Sequence, residues 1–305
     1  MSLGLLFPGQ GSQHVGMGRE LAEALPEARA VFEEADDVLG FGLSRLMWEG
    51  PEEELTETRN AQPAILVHSV AAWRVARDGV GPVALAAGHS LGEFSAHVAA
   101  GTIPFRDALQ AVRLRGELMF SAGEERPGTM AAILGLADDE VERVCGAVEA
   151  GVCVPANFNS DGQVVISGER AGVEEGMARA KEAGARRVVE LNVSGAFHSP
   201  LMEPAEAGLR RRLEAADFRD PDLPVVANVT AAPVHDGEEA RRLLVRQLTA
   251  PVRWSASVAA MVGAGVGRFV ELGPGSVLCG LNRRNARGLP CVSVGTPADL
   301  DGLGD

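Results

Sequence analysis

Residues Gly88-His89-Ser90-Leu91-Gly92 read Gly-x-Ser-x-Gly, and they stand between a short apolar run at 83–87 and a helical pattern that reaches about residue 100. A serine on a sharp strand-to-helix turn is an activated nucleophile in waiting, because the turn projects its hydroxyl from the strand end toward a helix N-terminus. Glycines must flank it, since a Cβ at either place would strike the neighbouring backbone. The backbone N–H of Leu91 is then placed to hold an oxyanion. The plain alternative is a serine that only caps the helix of a tight turn.

Arg115 is the second residue whose setting demands chemistry. Ala108, Ala111, Val112, Leu118 and Met119 lie three, four or seven positions from it, on one helical face. Arg106, Gln110, Arg113 and Glu117 take the other face, where Arg113 and Glu117 make an i,i+4 pair. A guanidinium carried by the core-facing stripe needs an anion. A buried structural ion pair or a snorkelling side chain would meet that need, and so would the carboxylate of a bound substrate, gripped by two parallel N–H···O bonds.

The elements around these residues alternate. Strands are expected at 3–7 and 83–87, helices between them to about 78, then one helix reaching about 100 and another over about 105–120, and later helices near 203–216 and 238–248, with strands near 224–228 and 268–272. Such alternation predicts an α/β body with a largely parallel sheet. Between about 126 and 193 the order is β-α-β-β-α-β, the ferredoxin-like pattern. The division expected is thus a large subdomain of residues 1–125 and 194–305, interrupted by a small one of 126–193. The polar tail after Pro297 is expected to fray.

Composition narrows the classes. A formal charge of −14 on 305 residues argues against nonspecific nucleic-acid binding and against anionic membranes. No apolar run approaches a membrane span, and the one at the N-terminus ends at Pro8, too short for a signal peptide. Cys145, Cys153, Cys279 and Cys291 have no metal-ligand spacing and suggest neither a metal site nor a disulfide framework. They read as small core residues of a reduced, cytoplasmic protein. The Gly-rich start lacks the Gly-Lys-Ser/Thr of a phosphate loop.

Five separated motifs, in order along nearly the whole chain, resemble the malonyl-CoA:acyl carrier protein transacylase family, which includes the acyltransferases of fatty acid and polyketide synthases. They are Gly9-Gln10-Gly11-Ser12-Gln13, Gly88-His89-Ser90-Leu91-Gly92-Glu93, Arg115-Gly116 with Met119, Gly195-Ala196-Phe197-His198-Ser199, and Gln247 ahead of Pro251-Val252-Arg253-Trp254. The resemblance implies a hydrolase-like large subdomain, an inserted ferredoxin-like small one and an active site in the gap between them. It implies Ser90 as nucleophile and His198 as its base, with Gln10 and the Leu91 amide lining the oxyanion hole. The backbone carbonyl of Gln247 would orient His198, so no acidic third member is needed. Arg115 would hold the malonyl carboxylate, and Phe197, bulky beside the α-carbon, would favour malonyl over methylmalonyl.

The competitor for the base is His89, but its place in the turn directs its side chain away from Ser90. His14, His68, His97 and His235 are given no role. The implied substrates are malonyl-CoA and an acyl carrier protein bearing phosphopantetheine, with no cofactor. Both partners are anionic, so local arginines must outweigh the global field; Arg186 and Arg187, Arg210 to Arg212, and Arg283, Arg284 and Arg287 are candidates. Three other readings compete. An acyl hydrolase acting on carrier proteins would be expected to lack an anion-binding arginine. An ordinary α/β-hydrolase esterase would carry a His-Gly-Gly loop, and no histidine here precedes a glycine. A noncatalytic carrier-protein scaffold would have lost catalytic residues.

Overall fold

The computed structural model describes residues 2–303. Two sheets organise it. The larger contains β1 (Ser2–Phe7), β2 (Val83–Gly88), β7 (Val225–Val226), β8 (Pro233–Val234), β9 (Val266–Leu272) and β10 (Cys291–Val294). The smaller contains β3 (Gly128–Leu134), β4 (Cys153–Ser160), β5 (Gln163–Glu169) and β6 (Arg187–Glu190).

The large sheet has the order β10-β9-β1-β2-β7-β8. Every pairing is parallel except that of β7 with β8. β1 occupies the middle, and its run Leu3-Gly-Leu-Leu-Phe7 is buried on both faces, as a strand between two helical layers requires. Phe7 is in register with Gly88, so β1 and β2 end at the same level. β1 is flanked by β2 on one side and β9 on the other, which opens a crevice at the carboxyl ends, the usual place for a ligand in such sheets. Helices Thr58–Ala76 and Phe105–Glu125 pack against each other, the first also against β9, and supply much of the core.

The small sheet is antiparallel, in the order β4-β5-β3-β6, with helices Asp138–Gly146 and Arg170–Glu182 between its strands in sequence. Its own core joins Ile133, Val141, Val164, Ile166 and Val173. The β-α-β-β-α-β pattern is therefore present with ferredoxin-like strand order. The two bodies are stitched where β4 meets the segment before helix Trp254–Gly263: Val252 N–H donates to Ala156 O at 2.8 Å and Phe158 N–H to Val252 O at 2.9 Å.

Several expectations need correction. Cys279 and Cys291 form a disulfide, with Cα atoms 5.4 Å apart, and both are half-buried. Helix Val277–Asn285 folds back on β10 and brings the two together, a tertiary effect that their sequence spacing does not announce. Cys145 and Cys153 are free and buried, with sulfurs 3.8 Å apart. Residues 297–302, expected to fray, form a defined element. Pro297–Gly302 is a 3-10 turn closed by a capping box, in which the Asp299 carboxylate accepts from the Thr296 N–H and hydroxyl, each at 2.8 Å; residues 304 and 305 lie outside the described residues.

Candidate active site

The turn after β2 is built by contact between backbones. A Cβ on Gly88 would overlap the backbone of Gly92 and Glu93, and one on Gly92 would overlap the Phe7 carbonyl at the end of β1. Glycine at both positions lets helix Gly92–Ala99 start against the strand ends. Ser90 is held between them at φ 51°, in the left-handed region that side chains avoid. Asn228, just past β7, clamps the turn: its Oδ1 accepts the Ser90 N–H at 2.7 Å and its Nδ2 donates to Gly88 O at 2.7 Å.

Ser90 Oγ lies 2.8 Å from His198 Nε2. His198 is itself at φ 56° and buried. Its Nδ1 sits 2.9 Å from Gln247 O and 3.2 Å from Ala250 O. Carbonyls only accept, so the proton belongs on Nδ1 and the Nε2 lone pair faces the serine hydroxyl. Burial, reinforced by the nearby Arg115 charge, pushes the ring's pKa down to about 3, which keeps it neutral and able to take a proton. His89 turns elsewhere: its Nε2 is 2.8 Å from Asn159 Oδ1 of the small sheet, and its ring tilts against Trp254.

Arg115 is 1% exposed. Its Nη1 donates to Gln62 Oε1 at 2.5 Å, and its Nη2 donates to Gln247 Oε1 at 3.0 Å and to Ser90 Oγ at 3.2 Å. Ser90 Oγ thus accepts from the arginine while its own proton points to His198. Among the described residues no carboxylate lies within ion-pair distance of Arg115, and its Nε has no partner. Neither a direct structural ion pair nor snorkelling accounts for it. Burial lowers its pKa to about 10, partly offset by Glu93, so it stays cationic at neutral pH.

A cavity of about 290 Å³ opens onto these groups. Gln10, Ser90, Leu91, Arg115, Phe197 and His198 all line it, with Met119 and Met130 adding apolar wall. Gln10 follows β1 and its side chain donates to Thr58 Oγ1 at 3.1 Å. Among the described residues the backbone N–H groups of Gln10 and Leu91 donate to no protein acceptor. Gln247 stands behind the wall, between His198 and Arg115. All seven residues singled out in the sequence therefore converge on one place.

Three polar residues join the site without a role assigned from the sequence: Gln62, Asn228 and Glu93, the last of which closes the nucleophile motif. Glu93 is fully buried, and burial pushes its pKa up to about 7. A signal for it existed, because it shares a helical face with Ala96, His97 and Ala100, just as Arg115 shares one with apolar residues. Gln62 and Asn228 had no comparable mark. Among the described residues no group of His, Cys, Asp and Glu is arranged to hold a metal.

Compared with known proteins, the chain matches the acyl transferase domain family over residues 5–298. It is 45% identical over 302 residues to the malonyl CoA-acyl carrier protein transacylase of Bacillus subtilis (strain 168), covering 98% of this chain and 95% of that one. Among solved structures, it superposes with a TM-score of 0.96 at 45% identity on a malonyl-transacylase held in complex with its type II PKS acyl-carrier protein, over 99% of each chain. The acyl carrier protein S-malonyltransferase of Vibrio cholerae O1 biovar eltor gives a TM-score of 0.96 at 44% identity, over 99% of this chain and 100% of that one. With matches that run the length of the chain in both sequence and fold, this protein belongs to the malonyl-CoA:acyl carrier protein transacylase family.

Proposed function

We propose that the protein moves malonyl from malonyl-CoA to the phosphopantetheine thiol of an acyl carrier protein, in fatty acid or polyketide biosynthesis, through an ester on Ser90. One observation carries this reading above the rest: a buried guanidinium without a carboxylate partner stands 3.2 Å from the candidate nucleophile. That is where the free carboxylate of malonyl would lie if its thioester carbonyl faced Ser90 Oγ. Names of the related proteins support the same substrates.

In the proposed reaction His198 Nε2 takes the Ser90 proton as Oγ attacks the thioester carbon. The oxyanion that forms is met by the N–H groups of Leu91 and Gln10, and collapse expels coenzyme A as a thiol, with the proton returned by His198. The carrier's thiol then attacks the ester along the reverse course. Gln247, through its carbonyl, keeps the His198 tautomer, and no cofactor enters. We take 126–193 as the small subdomain and 1–125 with 194–305 as the large one, with the cavity between them. For the acidic carrier, the exposed Arg186 and Arg187 and the exposed Arg283, Arg284 and Arg287 have no ion-pair partner among the described residues, whereas Arg212 is tied to Asp107 at 2.7 Å. Among the described residues no helix is long and apolar enough to cross a membrane, and a cytoplasmic place suits a user of coenzyme A thioesters.

The test is intact-mass spectrometry after mixing with malonyl-CoA. A malonyl adduct on the native protein, absent from Ser90→Ala and discharged by phosphopantetheinylated carrier protein, is the expected result. An adduct that survives in Ser90→Ala, or none on the native protein, overturns the assignment.

A further inference from the structure

Beneath the cavity lies a carboxylate that the reaction does not use. Glu93 Oε2 accepts from Gln247 Nε2 at 2.6 Å and from Asn228 N–H at 3.0 Å, while Oε1 has no partner among the described residues. Glu93 does not line the cavity, and His198 finds its partners in backbone carbonyls, so Glu93 is no triad acid. Burying a carboxylate with one oxygen unpartnered is costly, and a glutamine or an apolar residue would be the cheaper filling if only shape mattered.

Gln247 is the bridge. Its Nε2 donates to Glu93 and, at 3.1 Å, to Ser90 O; its Oε1 accepts from Arg115 Nη2 at 3.0 Å; its backbone O faces His198 Nδ1 at 2.9 Å. A guanidinium only donates, and Glu93 Oε2 accepts whether or not a proton sits on the unpartnered Oε1. Placed at opposite ends of one amide, they permit a single orientation: a flipped Gln247 would set its NH2 against Arg115 and its oxygen against the carboxylate. We infer that Glu93 is a positioning residue which, by fixing the Gln247 amide, holds Arg115 in the register that receives the malonyl carboxylate and so sets the preference for malonyl over uncharged acyl groups. This rests on the reading of Arg115 as the carboxylate clamp. A role confined to folding, exerted through Asn228 and the turn around Ser90, would slow every acyl group alike.

The test compares kcat/KM for self-acylation by malonyl-CoA and acetyl-CoA in the native enzyme, Glu93→Gln, Arg115→Ala and the double variant. In Glu93→Gln the amide either leaves two buried donors unpaired where Oε1 stood or turns them on Gln247 and forces its flip. The expected result is that malonyl falls about tenfold further than acetyl, and that Glu93→Gln produces no further change in the ratio once Arg115 is alanine. An equal fall for both substrates overturns the inference, as does a ratio change that persists without Arg115. If Arg115→Ala itself leaves the ratio intact, the clamp reading is what fails. Should thermal melts show that Glu93→Gln does not fold, Gln247→Met takes its place, since it removes the bridging amide and leaves the backbone carbonyl on His198; loss of selectivity is then expected, and equal loss for both substrates overturns the inference.

Discussion

We propose that Phe197 selects the substrate by size. Its ring is buried next to His198 in the chain and lines the cavity, and an apolar ring contributes volume there. A methyl branch on the α-carbon would need that volume, and one methylene in a tight pocket is worth roughly 1–3 kcal/mol. Phe197→Ser should therefore raise kcat/KM for methylmalonyl-CoA relative to malonyl-CoA by about tenfold or more, read by competition between the two thioesters; an unchanged ratio removes Phe197 from the selecting role. At this scale Ser90 and Arg115 were legible from local pattern alone, one from its glycines and the other from its face of a helix. His198, Gln10 and Gln247 were legible only through resemblance, since nothing near them in the chain marks them. Asn228 and Gln62 escaped notice because an amide becomes part of a site only when folding brings it a distant partner. The Cys279–Cys291 bond escaped for the same reason.

The elements that carry the site meet at the ends of β1 and β2, and their closeness has a testable consequence. Helix Gly92–Ala99 begins so near β1 that a Cβ on residue 92 would enter the space of the Phe7 carbonyl, which itself accepts the His89 N–H at 3.0 Å. Backbone cannot yield there without parting the two central strands. Gly92→Ala is expected to destabilise the fold by about 3 kcal/mol or more, as overpacking against rigid backbone does, and to abolish acylation. Urea unfolding checks this: a midpoint within error of the native one would show that the turn has slack. The longer strands and helices were readable because each carries its own periodicity, and the small sheet's order followed from them. β8 and β10 were not, being two and four residues long and defined by their neighbours. The turn after Pro297 was missed because its stability comes from one Asp299 carboxylate rather than from an apolar stripe.

Across the whole molecule, buried titrating groups oppose one another, and their balance fixes how stability responds to acid. Burial lowers the pKa of His68 to about 4 and those of His97 and His198 to about 3, while that of Glu93 rises to about 7. Between pH 6.5 and about 4 the unfolded chain protonates the three histidines and the native one does not, so their contribution falls as pH falls. Glu93 acts in the other direction, because between about 4.5 and 7 the native state holds the proton more tightly and stability from this group is lost as pH rises. From pH 7 to 5 each of these three histidines forfeits on the order of 2 kcal/mol and Glu93 returns about 2; His89, whose pKa burial also lowers, adds to the loss, while Glu271 and Asp138, whose pKa values burial raises, oppose it, and the histidines leave a net loss. The net charge of −14 adds self-repulsion that acid relieves, a long-range effect that salt screens. Urea unfolding at pH 7 and pH 5 in a few tenths molar salt should therefore show a lower midpoint at pH 5, and alanine at His97, which lies outside the cavity, should narrow the gap between the two. A midpoint equal or higher at pH 5 would mean that these histidines take up their protons without unfolding the core around them.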